Sequence, residues 1–173
     1  MKVTNWTEIN AATPGGRSKL PAGGYVIKIL KVEDVESKEY LRITYDIAEG
    51  EYKDHYAEDT GGNEWRHQFV RSYKDSAATF FAQFLQAITA SNADFDLAKW
   101  QKVCNPYELE GLILGSIWRD DLYTNDRGED KERLEFFAAV PADRIRAGAY
   151  EVPKPNDRRT APDPYAPGAD IPF

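Results

Sequence analysis

The chain has 173 residues, 42% of them hydrophobic and 13% aromatic, which is enough to bury one real core and too little for two full domains. Its formal charge of −7 is not the basic balance usual in a phosphate-gripping protein, so any nucleic-acid site has to be a local patch in an acidic body. The single cysteine, Cys104, excludes an intrachain disulfide, and no segment approaches the roughly 20 apolar residues of a membrane span.

Residues 1–24 read as a polar leader ending in Leu20-Pro21-Ala22-Gly23-Gly24, whose proline and glycines are expected to oppose regular structure ahead of the first strand. The leader carries no apolar run of signal-peptide type, so the expected location is the cytoplasm. Tyr25 to Val32 is apolar on both faces except at Lys28 and Lys31, which suits a central or bent strand. After a polar connector, Leu41, Ile43, Tyr45 and Ile47 alternate with Tyr40, Arg42, Thr44 and Asp46, the period of a strand with one buried face. The two strands read as an antiparallel hairpin whose outer face carries Tyr40, Arg42 and Thr44.

Gly50 to Gly62 is a loop containing Tyr52, His55 and Tyr56, and Trp65 to Tyr73 reads as a third strand. Trp65, His67, Phe69, Arg71 and Tyr73 fall on one of its faces and Arg66, Gln68, Val70 and Ser72 on the other; neither is cleanly apolar, so periodicity leaves the inward face open. From Asp75 the residues Phe80, Phe81, Phe84, Leu85 and Ile88 make an apolar helical stripe, with Asp75 or Ser76 suited to cap it. A shorter helix is expected over Asp96 to Val103, ended by Asn105-Pro106. Leu109 to Arg119 and Arg133 to Val140 read as strands four and five, joined through a long polar tip, Asp120 to Glu132, that turns at Asn125-Asp126-Arg127-Gly128.

This order predicts a mainly β fold with an α insertion, a five-stranded antiparallel Greek-key barrel of the OB-fold type with its helix between strands three and four. A split α+β sheet would show the same order. OB-folds commonly bind oligonucleotides on the face of strands two and three, flanked by the loops joining strands one to two and four to five. Between Trp65 and Lys74 this chain places Trp65, Phe69 and Tyr73 among Arg66, Arg71 and Lys74 with no acid, beside Tyr40 and Arg42 of the neighbouring strand. Rings for bases and cations for the backbone are what binding of a single strand without sequence preference requires, each stacked base being worth about 1 to 3 kcal/mol. The same residues would also serve as core aromatics beside a solvated arginine face. Trp118, Arg119, Tyr123 and Arg127 repeat the pattern among several acids.

Residues 151–173 hold six of the ten prolines and are expected to form a disordered tail after a domain spanning 25–150. The tail closes on Asp170-Ile171-Pro172-Phe173, which resembles the C-terminal tip of bacterial single-stranded DNA-binding proteins. Leu-Pro-Ala-Gly-Gly-Tyr leading into a strand, and Ile-Ala-Glu-Gly-Glu-Tyr ending the next, are similar to the small members of that type carried by phages and conjugative elements. The resemblance implies protection of single-stranded DNA in replication, recombination or repair, with partner proteins recruited through Asp170, Ile171, Pro172 and Phe173. Expected partners are then single-stranded DNA and replication and repair proteins, with self-association left open and no membrane. The alternative is a protein-interaction module of a phage or mobile-element replication system that does not touch DNA.

An enzyme is not expected. His55 and His67 lie twelve apart with no zinc-type spacing, and no cofactor motif appears. Asp120-Asp121 and Glu129-Asp130 read as acids of a solvated turn rather than as ligands of a metal.

Overall fold

The structure is a computed structural model and describes residues 19–57 and 63–160. Six strands form one sheet: β1 (Gly23–Val35), β2 (Tyr40–Ile47), β3 (Gln68–Ser72), β4 (Ile113–Thr124), β5 (Asp130–Val140) and β6 (Asn156–Arg158). Their hydrogen-bonded order is β3-β2-β1-β4-β5, antiparallel at every step, with β6 lying parallel to β4. Among the described residues no helix is long and apolar enough to cross a membrane.

β1 is the central strand because its apolar residues serve two neighbours. Gly23–Lys28 pair with β4, while Ile27–Val35 pair with β2. A bulge between Ile29 and Lys31 turns Leu30 out to solvent and bends the strand from one partner towards the other. Gly23 and Gly24 lie inside β1 rather than ahead of it. A Cβ on Gly24 would stand 2.5 Å from the Tyr150 ring, so the glycine is what lets that ring lie on the strand.

Leu41, Ile43, Tyr45 and Ile47 of β2 all point into the core, as their alternation requires. The opposite face is less wet than the pattern implies. Thr44 is buried and accepts from Gln68 Nε2 at 3.1 Å, and Asp46 is buried and accepts from the Ile47 and Tyr56 backbone N–H groups at 2.8 and 3.0 Å, because the turn over 51–57 folds across that end.

Between β3 and β4 run two helices, α1 (Ala78–Ser91) and α2 (Leu97–Val103). α1 buries Phe84, Leu85, Ala87 and Ile88 against the sheet, while Phe80, assigned to the same stripe by spacing, is 62% exposed at its start. Neither Asp75 nor Ser76 caps it: Asp75–Ala77 form a 3-10 turn and the Ala77 N-cap makes no side-chain hydrogen bond. α2 matches its expected span, with Asp96 accepting from the Lys99 N–H at 3.1 Å and Trp100 buried and donating from Nε1 to the Asn105 carbonyl at 2.8 Å. A short helix, α3 (Ala142–Arg146), follows β5.

Three strand boundaries differ from the periodic reading. Glu64–His67 form a 3-10 turn, so Trp65 and Arg66 precede β3 instead of belonging to it. A 3-10 turn at Pro106–Leu109 and the positive φ of Gly111 delay β4 to Ile113. The polar tip shrinks to 125–129, because residues assigned to it are cross-strand partners: Asp121 stands opposite Arg133, Leu122 opposite Glu132 and Thr124 opposite Asp130. Asn125 Oδ1 then closes the turn by accepting from the Arg127 and Glu129 N–H groups at 3.0 and 2.9 Å.

The expectation of an unattached tail from Glu151 is corrected for residues 151–160. β6 pairs with β4, and Arg158 donates from Nε and Nη2 to a fully buried Asp121 at 2.8 and 2.6 Å. Arg133 Nε and Asn156 Nδ2 complete the set at 2.8 and 3.3 Å. A carboxylate taken out of water needs such partners, and four donors from β5 and β6 supply them.

Hydrogen bonds from Arg158 first, then from Arg133, hold the Asp121 carboxyl below the ordinary carboxylate range although burial acts the other way. Because the folded value is depressed, this contribution is complete above the unfolded value of about 3.9 and is lost as pH falls through the folded value. Asp121→Asn should lower stability at neutral pH by about 1.5 to 3 kcal/mol and flatten the acid limb of the stability profile. Denaturant unfolding at neutral and acid pH checks both.

Candidate functional site

β3 and β5 end the hydrogen-bonded path, and between their free edges lies a groove of about 900 Å³. Side chains bridge it. The Phe136 ring of β5 lies 4.4 Å from Phe69 of β3, nearly parallel at 5°, and the Arg71 Cζ is 3.9 Å from the same ring. Arg71 Cζ is only 5.8 Å from the Phe69 ring, so these two side chains of β3 rest side by side against one phenyl group. β3 is therefore read unambiguously: Phe69 faces inward and Val70 outward.

Tyr45 and Trp118 form the floor, with ring centres 4.9 Å apart and both buried. Trp118 Nε1 donates to Ser116 Oγ at 2.7 Å, which satisfies its one polar group below the surface. At the rim Trp65 is 68% exposed, with the Arg66 guanidinium 5.5 Å from its ring. His67 fixes the turn that carries them. Its Nδ1–H donates to the Tyr45 carbonyl at 2.5 Å, and its ring stacks on Tyr56 at 4.9 Å.

The two walls differ in charge. On the β5 side Arg133 shares Asp121 with Arg158, at 2.8 and 2.6 Å, Glu135 meets Arg119 at 2.7 Å, and Glu132 shares Lys19 with Asp120, at 3.3 and 2.9 Å, so every charge there is ion-paired within the protein. On the β3 side neither Arg66 nor Arg71 forms an ion pair with any carboxylate among the described residues. Arg71 Nε is buried with no hydrogen-bond partner, and burial pulls its pKa down to about 10, leaving a cation at neutral pH.

Of the residues singled out by composition, Trp65, Arg66, Phe69, Arg71, Trp118 and Tyr123 line this groove. The others lie elsewhere. Tyr40 and Arg42 share the opposite face with Glu33, to which Arg42 is bonded at 2.9 Å, and Thr44 is buried beneath Gln68. Tyr73 donates to Asp34 at 2.8 Å, a bond that pushes its phenol up to about 12. Lys74 is exposed ahead of the α1 turn, Arg119 is held by Glu135, and Arg127 is exposed at the β4–β5 turn. Asp170, Ile171, Pro172 and Phe173 fall outside the described residues.

Phe136, Leu134, Tyr45 and Lys19 also line the groove and were missed by composition. A cationic aromatic run is visible along one strand. A site shared between edges distant in sequence shows no such run, and only the antiparallel path brings β5 round to β3. No protein-family model matches the chain, and no curated protein matches it in sequence.

Arg71→Met removes an unpaired, desolvated cation but also its contact with Phe136, worth about 0.5 to 2 kcal/mol, so the two effects should largely cancel. Urea unfolding is expected to move by less than about 1 kcal/mol in either direction. A loss of several kcal/mol would make Arg71 a structural residue.

Proposed function

We propose that the protein binds single-stranded DNA with little sequence preference in the groove between β3 and β5, and so protects it during replication, recombination or repair. The observation that carries this reading is Arg71, a guanidinium held in a groove without a carboxylate partner among the described residues. Keeping an unpaired cation partly out of water costs stability, and a phosphate group entering the groove supplies the missing partner.

Further support comes from the architecture. The antiparallel path β3-β2-β1-β4-β5 with α1 between β3 and β4 agrees with the element order expected of an OB-fold, a scaffold that commonly binds oligonucleotides. Exposed Trp65 supplies a ring on which a base can stack, and every base has a π-face, so stacking does not select sequence. A single strand fits better than a duplex because its bases are free to turn onto Trp65, and the two free edges add backbone donors and acceptors along the same gap. Recruitment of partner proteins through Asp170–Phe173 is the part of this reading that the family resemblance alone carries.

Fluorescence titration with oligo-dT tests it. Trp65 should be quenched on binding, and Trp65→Phe should remove most of the signal while weakening affinity only moderately, since Phe retains a π-face. With Arg66 and Arg71 as the groove cations that lack an ion pair among the described residues, the logarithm of affinity should fall with the logarithm of salt at a slope of about −1.4, and Arg71→Met should reduce that to about −0.7. Duplex of the same length should compete poorly. Absence of oligo-dT binding at low salt would sink the reading.

A further inference from the structure

Asp121 has no exposed surface, yet the two arginines bonded to it are open to solvent, 60% for the Arg133 side chain and 49% for that of Arg158. Their Cζ atoms lie 5.1 and 5.9 Å from the Tyr123 ring. One buried carboxylate thus orients two guanidinium groups around one tyrosine and neutralises only one of them. Arg158 spends Nε and Nη2 on Asp121, and Arg133 spends Nε, so Nη1 of Arg158 and both Nη groups of Arg133 make no side-chain hydrogen bond among the described residues. Tyr123 and Arg133 line the groove, so this cluster adjoins it. Beyond Arg158 the Thr160 N–H donates to Thr124 Oγ1 at 3.0 Å, fixing the segment along β4.

We propose that the C-terminal segment is part of the nucleic-acid track: Arg158, carried on β6, joins Arg133 in flanking Tyr123 and extends the groove along the β4–β5 hairpin, so that a longer single strand gains a phosphate contact there. This rests on the reading of the groove as a single-strand site. A segment that were only pinned in place would gain little from a charge pair over an apolar contact. A base or sugar over Tyr123 with a phosphate between two guanidinium groups uses every group the cluster exposes.

The test uses the full chain with oligo-dT of about 5 and about 16 nucleotides, near the two ends of the site sizes seen in single-strand-binding domains. Arg158→Gln should leave the short oligonucleotide unaffected. For the long one it should reduce the salt slope by about 0.7, which is a five-fold change in affinity for each ten-fold change in salt. Arg158→Lys should keep the slope. Arg159→Gln, which removes the same charge from a residue paired with exposed Asp157, should behave as wild type. A wild-type slope in Arg158→Gln, with or without a lowered thermal midpoint, would make the segment a strap only and overturn the proposal; so would an equal effect from Arg159→Gln. Failure of the wild-type protein to bind either oligonucleotide would instead remove the reading of the groove itself.

Discussion

A sheet that ends in two free edges must pair them, cover them or blunt them, because each edge presents a row of unpaired N–H and C=O groups. Here β3 and β5 approach through three side chains: Phe136 from one edge, Phe69 and Arg71 from the other. Two aromatic rings at 4.4 Å would suffice to hold the edges in contact. The guanidinium beside them keeps the contact polar at its outer side. A fully apolar contact would bury the gap, whereas a cation without a carboxylate leaves it in need of solvent or an anion.

Other features follow from that contact. The bulge at Leu30 bends β1, so the strands paired to its two ends, β2 with β3 and β4 with β5, turn towards one another. α1 fills the core with Phe84, Leu85 and Ile88, and the Phe84 ring meets Phe69 edge-on at 6.3 Å, supporting the β3 side from below. On the groove side Tyr45 and Trp118 provide a rigid floor. The groove therefore depends on rings fixed by packing, with Trp65 alone among its tryptophans projecting into solvent.

How much of this was legible depended on whether a residue's role was local. The inward set Leu41, Ile43, Tyr45 and Ile47 and the span of α2 are properties of a few consecutive residues, and both stand as expected, whereas Thr44 and Asp46 are buried by a turn that alternation does not show. The aromatic period continues through Trp65 and so predicts a strand there, but the residue lies in a 3-10 turn, Glu64–His67, in which the His67 Nδ1–H donates to the Tyr45 carbonyl. Acidic neighbours in sequence make Asp120 and Asp121 look like residues of a solvated turn. Their real partners, Lys19, Arg133 and Arg158, come from three other segments, and no local pattern announces a buried ion pair. The same nonlocality hid residues 151–160, whose proline content describes an extended chain but not whether an extended chain finds a strand to lie against.

The acidic balance need not oppose a polyanion, because what a ligand meets is the field in the groove rather than the charge of the whole chain. Glu132 and Glu135 line the groove; the Glu135–Arg119 pair at 2.7 Å is nearly neutral to a charge about 10 Å away at ordinary ionic strength, while Glu132 shares Lys19 with Asp120 and is only partly offset. Arg66 and Arg71 have no ion pair among the described residues, so the β3 wall is the positive one. Unpaired acids elsewhere act only through screened distance. On the proposed reading, an acidic body with a few uncompensated cations in one gap implies modest affinity for a single strand, with stacking carrying more of the energy than counterion release.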